Sequence, residues 1–201
     1  MSEDLMFSTI EEQVFWCNCV RGLPKLEGFS GTGIDKFGEL IPYGTGPHSL
    51  RAFREAFEIV NPKLILEIGM NMGYATVVFL ELSKEAKIIT CDISLKEETI
   101  EAAKILKDKY SHRFHYFHRD SELFSLCLSF NHYDIAFIDG GHLKHDVLTD
   151  ISLCLNHKIP YLLFDDVLPQ FGDVQECIDN FSQLELIKTW GNIALYKNKD
   201  L

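Results

Sequence analysis

The alternation of short apolar runs with helical patterns, which begins at residue 63, constrains the fold of this chain most strongly. Five apolar runs have the length of buried strands, and helical patterns separate them. Strands that alternate with helices predict a mostly parallel sheet covered on both faces. The predicted strands are Lys63–Ile68, Lys87–Cys91, Phe114–His118, Tyr133–Ile138 and Tyr161–Phe164, and the main predicted helices are Tyr74–Leu82, Lys96–Lys109, His145–Leu155 and Asp173–Phe181.

The last segment departs from this alternation. Leu184–Thr189 and Asn192–Lys197 flank Trp190-Gly191 and predict a closing hairpin. A pure dinucleotide-binding fold would continue with βα units here, so the hairpin favours a sheet that ends in an antiparallel strand. The fold class predicted is therefore α/β, a Rossmann-like doubly wound sheet that is mostly parallel with an antiparallel C-terminal strand.

Residues 1–60 differ from this core, which we assign to residues 61–201 of a single compact domain. Leu5–Val20 predicts an amphipathic helix, and Ser49–Ile59 predicts a helix that leads into the first strand. Residues 28–46 hold six glycines, too many for a regular element, and a long glycine-rich loop of this kind is usually functional. We expect a lid, with Tyr43 or His48 near a substrate pocket.

The charge balance limits the partners of the chain. Its formal net charge of −11 argues against nucleic acid, which is bound through clustered Lys and Arg. No apolar stretch approaches the roughly 20 residues that span a bilayer, and the N-terminus lacks a basic signal region, so we expect a cytoplasmic location without membrane contact. The six cysteines lie mostly in apolar segments, which predicts buried free thiols.

The turn after the first predicted strand has the features of a ligand site. Glycine permits a tight turn and a close backbone approach, and the next helix offers free N–H groups. The dinucleotide fingerprint G-x-G-x-x-G fails, because Asn71 and Tyr74 occupy its second and third glycine positions. A featureless strand-to-helix turn is the alternative. The segment reads Glu67-Ile68-Gly69-Met70-Asn71-Met72-Gly73-Tyr74.

Polar residues also follow the second and third strands. Asp92 can accept hydrogen bonds from two ribose hydroxyls, which suits any nucleoside, or it can be a solvated loop carboxylate. Asp120 and Ser121 follow the third strand and can accept a hydrogen bond from a ligand, and helix capping explains either residue nearly as well.

Three motifs together resemble one enzyme family. The chain resembles class I S-adenosylmethionine-dependent methyltransferases, in particular small bacterial "FIDG-x-H" proteins, and is similar to the catechol and caffeoyl-CoA type O-methyltransferases. The resemblance covers residues 60–170 and implies the seven-stranded methyltransferase fold. It rests on Leu66-Glu67-Ile68-Gly69 with Gly73-Tyr74-Ala75, on Phe137-Ile138-Asp139-Gly140-Gly141-His142, and on Leu163-Phe164-Asp165-Asp166-Val167.

The resemblance implies S-adenosylmethionine as the cofactor and O-methylation of a small hydroxylated molecule. Ala75 departs from the family, because related enzymes carry a serine there for the methionine carboxylate; backbone N–H groups or Ser49 would replace that contact. The expected cofactor-binding residues are Glu67, Gly69, Met70, Asn71, Gly73, Asp92, Ile93, Asp120, Ser121 and Asp139.

The resemblance also implies a metal site at Asp139, Asp165 and Asp166. Three converging carboxylates repel one another unless a cation or protons intervene, and oxygen ligands suit Mg²⁺ or another divalent cation. In the alternative, Asp165 and Asp166 only cap their loop. His142 lies where catechol-type enzymes carry a catalytic lysine and could take a hydroxyl proton; it could equally bind the cofactor or stabilise the loop.

Two other functions are compatible with the sequence. A non-catalytic S-adenosylmethionine-binding or nucleoside-binding module is favoured slightly by Ala75, and an NAD-dependent oxidoreductase is disfavoured by Tyr74. The expected partner is a small-molecule acceptor, and a homodimer is compatible with the sequence.

Overall fold

The computed structural model describes residues 11, 14–15, 18–19, 21–23, 32–34, 40–42, 47–128 and 132–201, without the side chains of 32–34, 40–42, 47–48 and 125–128. Its strands are β1 Thr32–Ile34, β2 Leu40–Pro42, β3 Leu64–Ile68, β4 Lys87–Asp92, β5 Phe114–His118, β6 Ile135–Ile138, β7 Tyr161–Phe164, β8 Leu184–Trp190 and β9 Ile193–Asn198. Its helices are α1 Pro47–Val60, α2 Tyr74–Leu82, α3 Glu97–Tyr110, α4 Ser121–Leu128, α5 Lys144–Asn156 and α6 Val174–Ile178, with a 3₁₀ turn at Pro169–Phe171.

Seven of these strands form one sheet in the order β5-β4-β3-β6-β7-β9-β8. The strands from β5 to β7 are parallel, and β9 pairs antiparallel with both β7 and β8. The predicted fold class, with its antiparallel C-terminal strand, is confirmed. The chain order reverses between β3 and β6, and ligands of open α/β sheets bind at such a switch point, outside the carboxyl ends of the strands.

Two apolar layers cover the sheet. On one face Phe53 of α1, Phe79 of α2 and Phe137 of β6 pack edge to face with ring centroids 4.6–5.3 Å apart. On the other face α4, α5 and α6 cover a second buried cluster. The central strands are buried on both faces, which explains why their sequences read as continuous apolar runs.

A buried arginine joins α2 to the following strand. Nη1 of Arg113, a residue with 8% exposure, donates to the carbonyl oxygens of Leu80, Ser83 and Ala86 at 2.9–3.2 Å. These carbonyls lie at and just beyond the end of α2, where helix carbonyls lack intrahelical donors. The guanidinium therefore caps the helix and fixes its end against β4.

The N-terminal segment is described only in part. The described positions within the predicted helix Leu5–Val20 that precede residue 20 are all helical. The expectation that residues 28–46 hold no regular element is wrong at β1 and β2, which pair antiparallel despite the surrounding glycines. Tyr43 and the side chain of His48 lie outside the described residues.

Two smaller predictions can be compared with the described residues. Cys19, Cys91, Cys154 and Cys177 are buried free thiols, as expected. Among the helices of the described residues, none combines the length and the apolar character needed to cross a membrane.

Candidate active site

A crevice of about 530 Å³ opens at the carboxyl ends of the parallel strands. The loops after β3, β4, β5, β6 and β7 all contribute to its lining, so it lies at the switch point that the topology predicts. Its volume is within the range of roughly 300–1,000 Å³ typical of small-molecule sites.

The turn after β3 needs glycine at its first position. Gly69 has a φ of 87°, and a Cβ there would lie 2.1 Å from the backbone oxygen of Asp139. Asn71 also has a positive φ, 48°, a conformation that asparagine tolerates better than most residues. Asn71 therefore fits the turn although it breaks the dinucleotide fingerprint.

Two predicted cofactor residues do not line this crevice. A Cβ at Gly73 would lie 2.6 Å from Cδ1 of Leu106, so this glycine makes room for α3. Glu67 is fully buried and accepts a hydrogen bond from Oγ1 of Thr76 at 2.7 Å. Burial raises the pKa of Glu67 to about 7, although the Thr76 bond opposes this change. Both residues support the turn from behind the lining of the crevice, and their expected contact with a cofactor stays a prediction.

Asp92 lines the crevice and also builds it. Its Oδ2 accepts the backbone N–H groups of Met70 and Asn71 at 2.8 and 2.7 Å, and its Oδ1 accepts the N–H of Ser94 at 2.6 Å. The carboxylate thus ties the β3 turn to the β4 loop, and Ile93 beside it also lines the crevice. Three of the four lone-pair sites of this carboxylate are thus occupied, and one on Oδ1 is available to a ligand.

The two polar residues after β5, Asp120 and Ser121, make different contacts. Asp120 Oδ1 accepts the N–H of Glu122 at 2.8 Å, so the capping interpretation of Asp120 is confirmed. Ser121 Oγ donates to Oδ1 of Asp150 at 2.5 Å, and all four residues line the crevice. Asp150 was missed in the sequence, because its position in the middle of a helix gives no motif signal.

The positions of Ser49 and Ala75 show which group can replace the serine that binds the methionine carboxylate in related enzymes. Ala75 lines the crevice. Ser49 is fully buried, does not line the crevice, and has no hydrogen-bond partner for Oγ among the described residues. Of the two expected replacements for a serine at position 75, the backbone N–H groups at the start of α2 are therefore the better placed.

An acidic cluster with one histidine lies at the ends of β6 and β7. Asp139, His142 and Asp166 each offer one ligand atom, and these three atoms lie within 4.8 Å of one another. Nε2 of His142 lies 3.6 Å from Oδ2 of Asp166 and 4.0 Å from Oδ1 of Asp139. The cluster differs from the predicted set of three carboxylates, because His142 takes the place of Asp165.

Asp165 also lines the crevice, but its Oδ1 already has two other partners. Its Oδ1 accepts the N–H of Asp166 at 2.8 Å and Nδ2 of Asn192 at 2.7 Å. Nδ2 of Asn192 also donates to Oδ1 of Asp166 at 2.9 Å. Asn192 was missed as a functional candidate, although the predicted hairpin, which sets its turn beside the fifth strand, was a signal that could have found it.

The carboxyl groups of Asp139 and of its neighbour Asp165 hold protons more strongly than usual. Loss of hydration raises the pKa of Asp139 well above its ordinary value, and the charges of Asp165 and Asp166 raise it further. Burial, together with the charge of Asp166, raises the pKa of Asp165 to about 7. A cation at this cluster would relieve that repulsion.

Comparison with known proteins gives three results. Residues 66–167, half of the chain, match the family model of a methyltransferase domain. No curated protein sequence matches the chain. Solved structures with the same fold include a Staphylococcus aureus protein described as a caffeoyl-CoA O-methyltransferase, which is 16% identical at a TM-score of 0.62 and covers 95% of this chain and 92% of its own.

Two further structures agree. A Klebsiella pneumoniae protein described as an O-methyltransferase is 15% identical at a TM-score of 0.64, covering 96% of this chain and 92% of its own. A Podospora anserina methyltransferase, solved with SAH (S-adenosylhomocysteine) bound, is 16% identical at a TM-score of 0.57 and covers 100% of both chains. At such identities these likenesses show a shared fold.

Proposed function

The chain belongs to the family of methyltransferase domains, and from that premise we propose that it transfers the methyl group of S-adenosylmethionine to a hydroxyl oxygen of a small molecule. One observation carries the proposal. Gly69, in the turn expected to hold the methyl donor, packs closely against the backbone of Asp139. Asp139, His142 and Asp166 form the cluster at which the acceptor would react, called the reacting cluster below. The two halves of a group transfer therefore share one crevice.

The chemistry of the turn fits the methyl donor. Ala75 lies in the first turn of α2 at the crevice, and N–H groups in the first turn of a helix lack intrahelical acceptors, which suits the donor's carboxylate. Asp92 faces the same crevice, and the open site on its Oδ1 can accept a ribose hydroxyl. The donor has no phosphate, so the absence of the dinucleotide fingerprint does not count against it. When bound, it supplies an electrophilic methyl group.

The cluster fits a divalent cation. Asp139, His142 and Asp166 would hold it, and it would lower the pKa of the acceptor hydroxyl. Carboxylates suit Mg²⁺ and Mn²⁺, and an imidazole ligand favours a transition metal, so Mn²⁺ accommodates the whole set. Asn192 orients Asp166 from the hairpin turn, and a cation would offset the negative charges of Asp165 and Asp166 beside Asp139.

A second candidate mechanism needs no cation. Nε2 of His142 lies 3.6 Å from Oδ2 of Asp166 and 4.0 Å from Oδ1 of Asp139, so its imidazole faces the cluster. In this mechanism His142 removes the acceptor proton directly, as its position in the sequence suggests. The two mechanisms give His142 different roles, as a metal ligand in one and as a base in the other.

Calorimetry tests the cofactor. We expect S-adenosylmethionine and S-adenosylhomocysteine to bind and NAD not to bind. Asp92→Ala should weaken binding by at least the ~1.5–3 kcal/mol of hydrogen bonds to a charged group, because the turn loses its tie as well. NAD binding in preference to S-adenosylhomocysteine would favour an oxidoreductase instead. Tight binding without turnover of any hydroxylated acceptor would favour a non-catalytic module.

Chelation separates the two mechanisms. With the cation, exhaustive EDTA treatment should abolish methyl transfer and added Mn²⁺ or Mg²⁺ should restore it. Asp166→Asn should weaken metal binding while leaving S-adenosylhomocysteine affinity unchanged. Asp146→Asn, which removes a crevice carboxylate outside the cluster, is the matched control. Full activity after chelation, lost in His142→Ala, would establish the metal-free mechanism.

A further inference from the structure

The end of the crevice at β5 carries a carboxylate that the proposed reaction does not use. Asp150 of α5 lines the crevice although its residue is only 2% exposed. Its Oδ1 accepts the Ser121 hydroxyl at 2.5 Å, and in the described part of the chain no hydrogen bond is made to its Oδ2. Burial raises the pKa of this carboxyl to about 6. A buried carboxylate with a free oxygen is costly unless a donor reaches it.

Two glycines keep the space over α5 open. A Cβ at Gly140 would lie 3.2 Å from Oδ2 of Asp150, and a Cβ at Gly141 would lie 2.3 Å from Oδ2 of Asp146. Any side chain at position 141 would push against α5, and one at 140 would crowd the free oxygen. The paired glycines thus leave Asp150 accessible from the crevice rather than covered by its own loop.

The hydrogen bond to Ser121 holds Asp150 on the β5 side of the crevice. Ser121 follows β5, whereas the cluster residues Asp139 and Asp166 follow β6 and β7, beyond β4 and β3 in the sheet order. If the methyl group reacts at the cluster and Asp92, which follows β4, holds the ribose, the nucleobase lies toward Ser121 and Asp150.

The chemistry of this end selects for hydrogen-bond donors. An ionised Asp150 only accepts hydrogen bonds. The Ser121 hydroxyl donates its hydrogen to Asp150, so the Ser121 oxygen can also only accept hydrogen bonds from a ligand. We propose that Asp150, positioned by Ser121, is the residue that selects the exocyclic amino group of adenine in the methyl donor. An amino group can donate two hydrogen bonds to these acceptor oxygens, whereas a carbonyl oxygen at the same ring position donates none.

This inference rests on the proposed function and has its own test. Calorimetry would compare S-adenosylhomocysteine with S-inosylhomocysteine, in which the amino group is replaced by a carbonyl oxygen. The unaltered chain should prefer the adenosyl compound roughly 10- to 100-fold, the range expected for hydrogen bonds to a charged group. Asp150→Asn should reduce that ratio at least ~10-fold, because an amide nitrogen can donate to the carbonyl.

Controls make each result decisive. Ser121→Ala should lower the ratio in the same direction, and Asp108→Asn, an exposed change on α3 outside the crevice lining, should leave it unchanged. Thermal unfolding of each variant would show that the fold is retained. An unchanged ratio in both Asp150→Asn and Ser121→Ala would overturn the inference alone. Binding of neither compound by the unaltered chain would overturn the proposed function with it.

Discussion

Glycines with the same backbone conformation have different roles in this molecule. Gly69 and Gly191 both have a positive φ, but a Cβ at Gly191 meets nothing within 4 Å, whereas one at Gly69 would strike the Asp139 carbonyl. Only at Gly69 does the lack of a side chain bring two loops together.

Alanine substitution at these two glycines separates backbone strain from the contact. Gly191→Ala should lower the free energy of unfolding by about 1–2 kcal/mol, the cost of the left-handed conformation. Gly69→Ala should cost several kcal/mol and abolish S-adenosylhomocysteine binding, because the β3 turn must move away from Asp139. Urea unfolding and calorimetry would measure both effects. Equal destabilisation by the two variants would mean that the chain moves the added Cβ away from the Asp139 carbonyl with no further loss of unfolding free energy.

The buried carboxyl of Glu67 makes stability depend on pH. Its pKa in the folded chain, about 7, lies above the ordinary value of 4.5, so the unfolded chain releases the proton first as the pH rises. The resulting loss of stability begins near pH 4.5 and is complete above pH 7. Glu67→Gln should therefore reduce the loss of unfolding free energy between pH 5 and pH 8 by roughly 2–3 kcal/mol.

Urea unfolding of the unaltered chain and of Glu67→Gln at the two pH values would check this. The exposed Glu98→Gln variant is a matched control for the change of charge. The same pH dependence in Glu67→Gln as in the unaltered chain would contradict the assignment.

At the scale of elements, the C-terminal hairpin does more than close the sheet. Its turn carries Asn192, whose amide bonds Asp165 and Asp166, while its backbone oxygen accepts the N–H of Val167 at 2.9 Å. Asp166 is held at a φ of 56°, outside the usual range for a residue with a side chain. The hairpin thus fixes a strained loop in the arrangement that the cluster needs.

Removing the Asn192 amide should disturb the reacting cluster and spare the donor site. We expect Asn192→Ala to lower methyl transfer at least ~10-fold, since two hydrogen bonds to carboxylates are lost. The affinity for S-adenosylhomocysteine should stay within about twofold, because the hairpin does not line the crevice. Thr189→Ala, an exposed change in the same hairpin, is the control. Normal activity in Asn192→Ala would show that the loop of Asp165 and Asp166 keeps its conformation without the Asn192 amide.

At the scale of the molecule, negative charge is concentrated at the site. The described residues that line the crevice include eight carboxylates and two residues with permanent positive charge, Lys96 and Arg119. The net charge of the chain is −11. Such a field attracts cations and is screened by salt. S-adenosylmethionine carries a sulfonium charge that S-adenosylhomocysteine lacks, so salt should affect the two differently.

Raising the salt concentration tenfold from ~50 mM should weaken S-adenosylmethionine binding a few-fold more than S-adenosylhomocysteine binding. Calorimetry in EDTA would measure both affinities. In Asp146→Asn, which has one crevice carboxylate fewer, the difference should shrink. Identical salt dependence for the two compounds would mean that the sulfonium is screened from this field.

The sequence predicted the sheet well because its central strands are buried on both faces, and β3 and β6 therefore read as continuous apolar runs. It predicted the positions of Asp92 and Asp139 because strand ends converge on one edge of the sheet. It did not separate Glu67 and Gly73 from ligand-binding residues, since a motif does not show which way a side chain faces. Asn192 and Asp150 reach the site from a turn and a helix, and only the tertiary contacts bring them there.

The chain order of the crevice has a consequence for inheritance. Loops after β3, β4 and β5, between residues 69 and 121, build the expected donor side, whereas the reacting cluster and its amide support lie between residues 139 and 192. Donor binding and the reaction at the acceptor are therefore assigned to two consecutive stretches of one chain. We expect descendants of such a sequence to change their acceptors by drift in the second stretch while the first stays nearly fixed. Asp150, which lies in the second stretch but serves the donor, should stay fixed with the first.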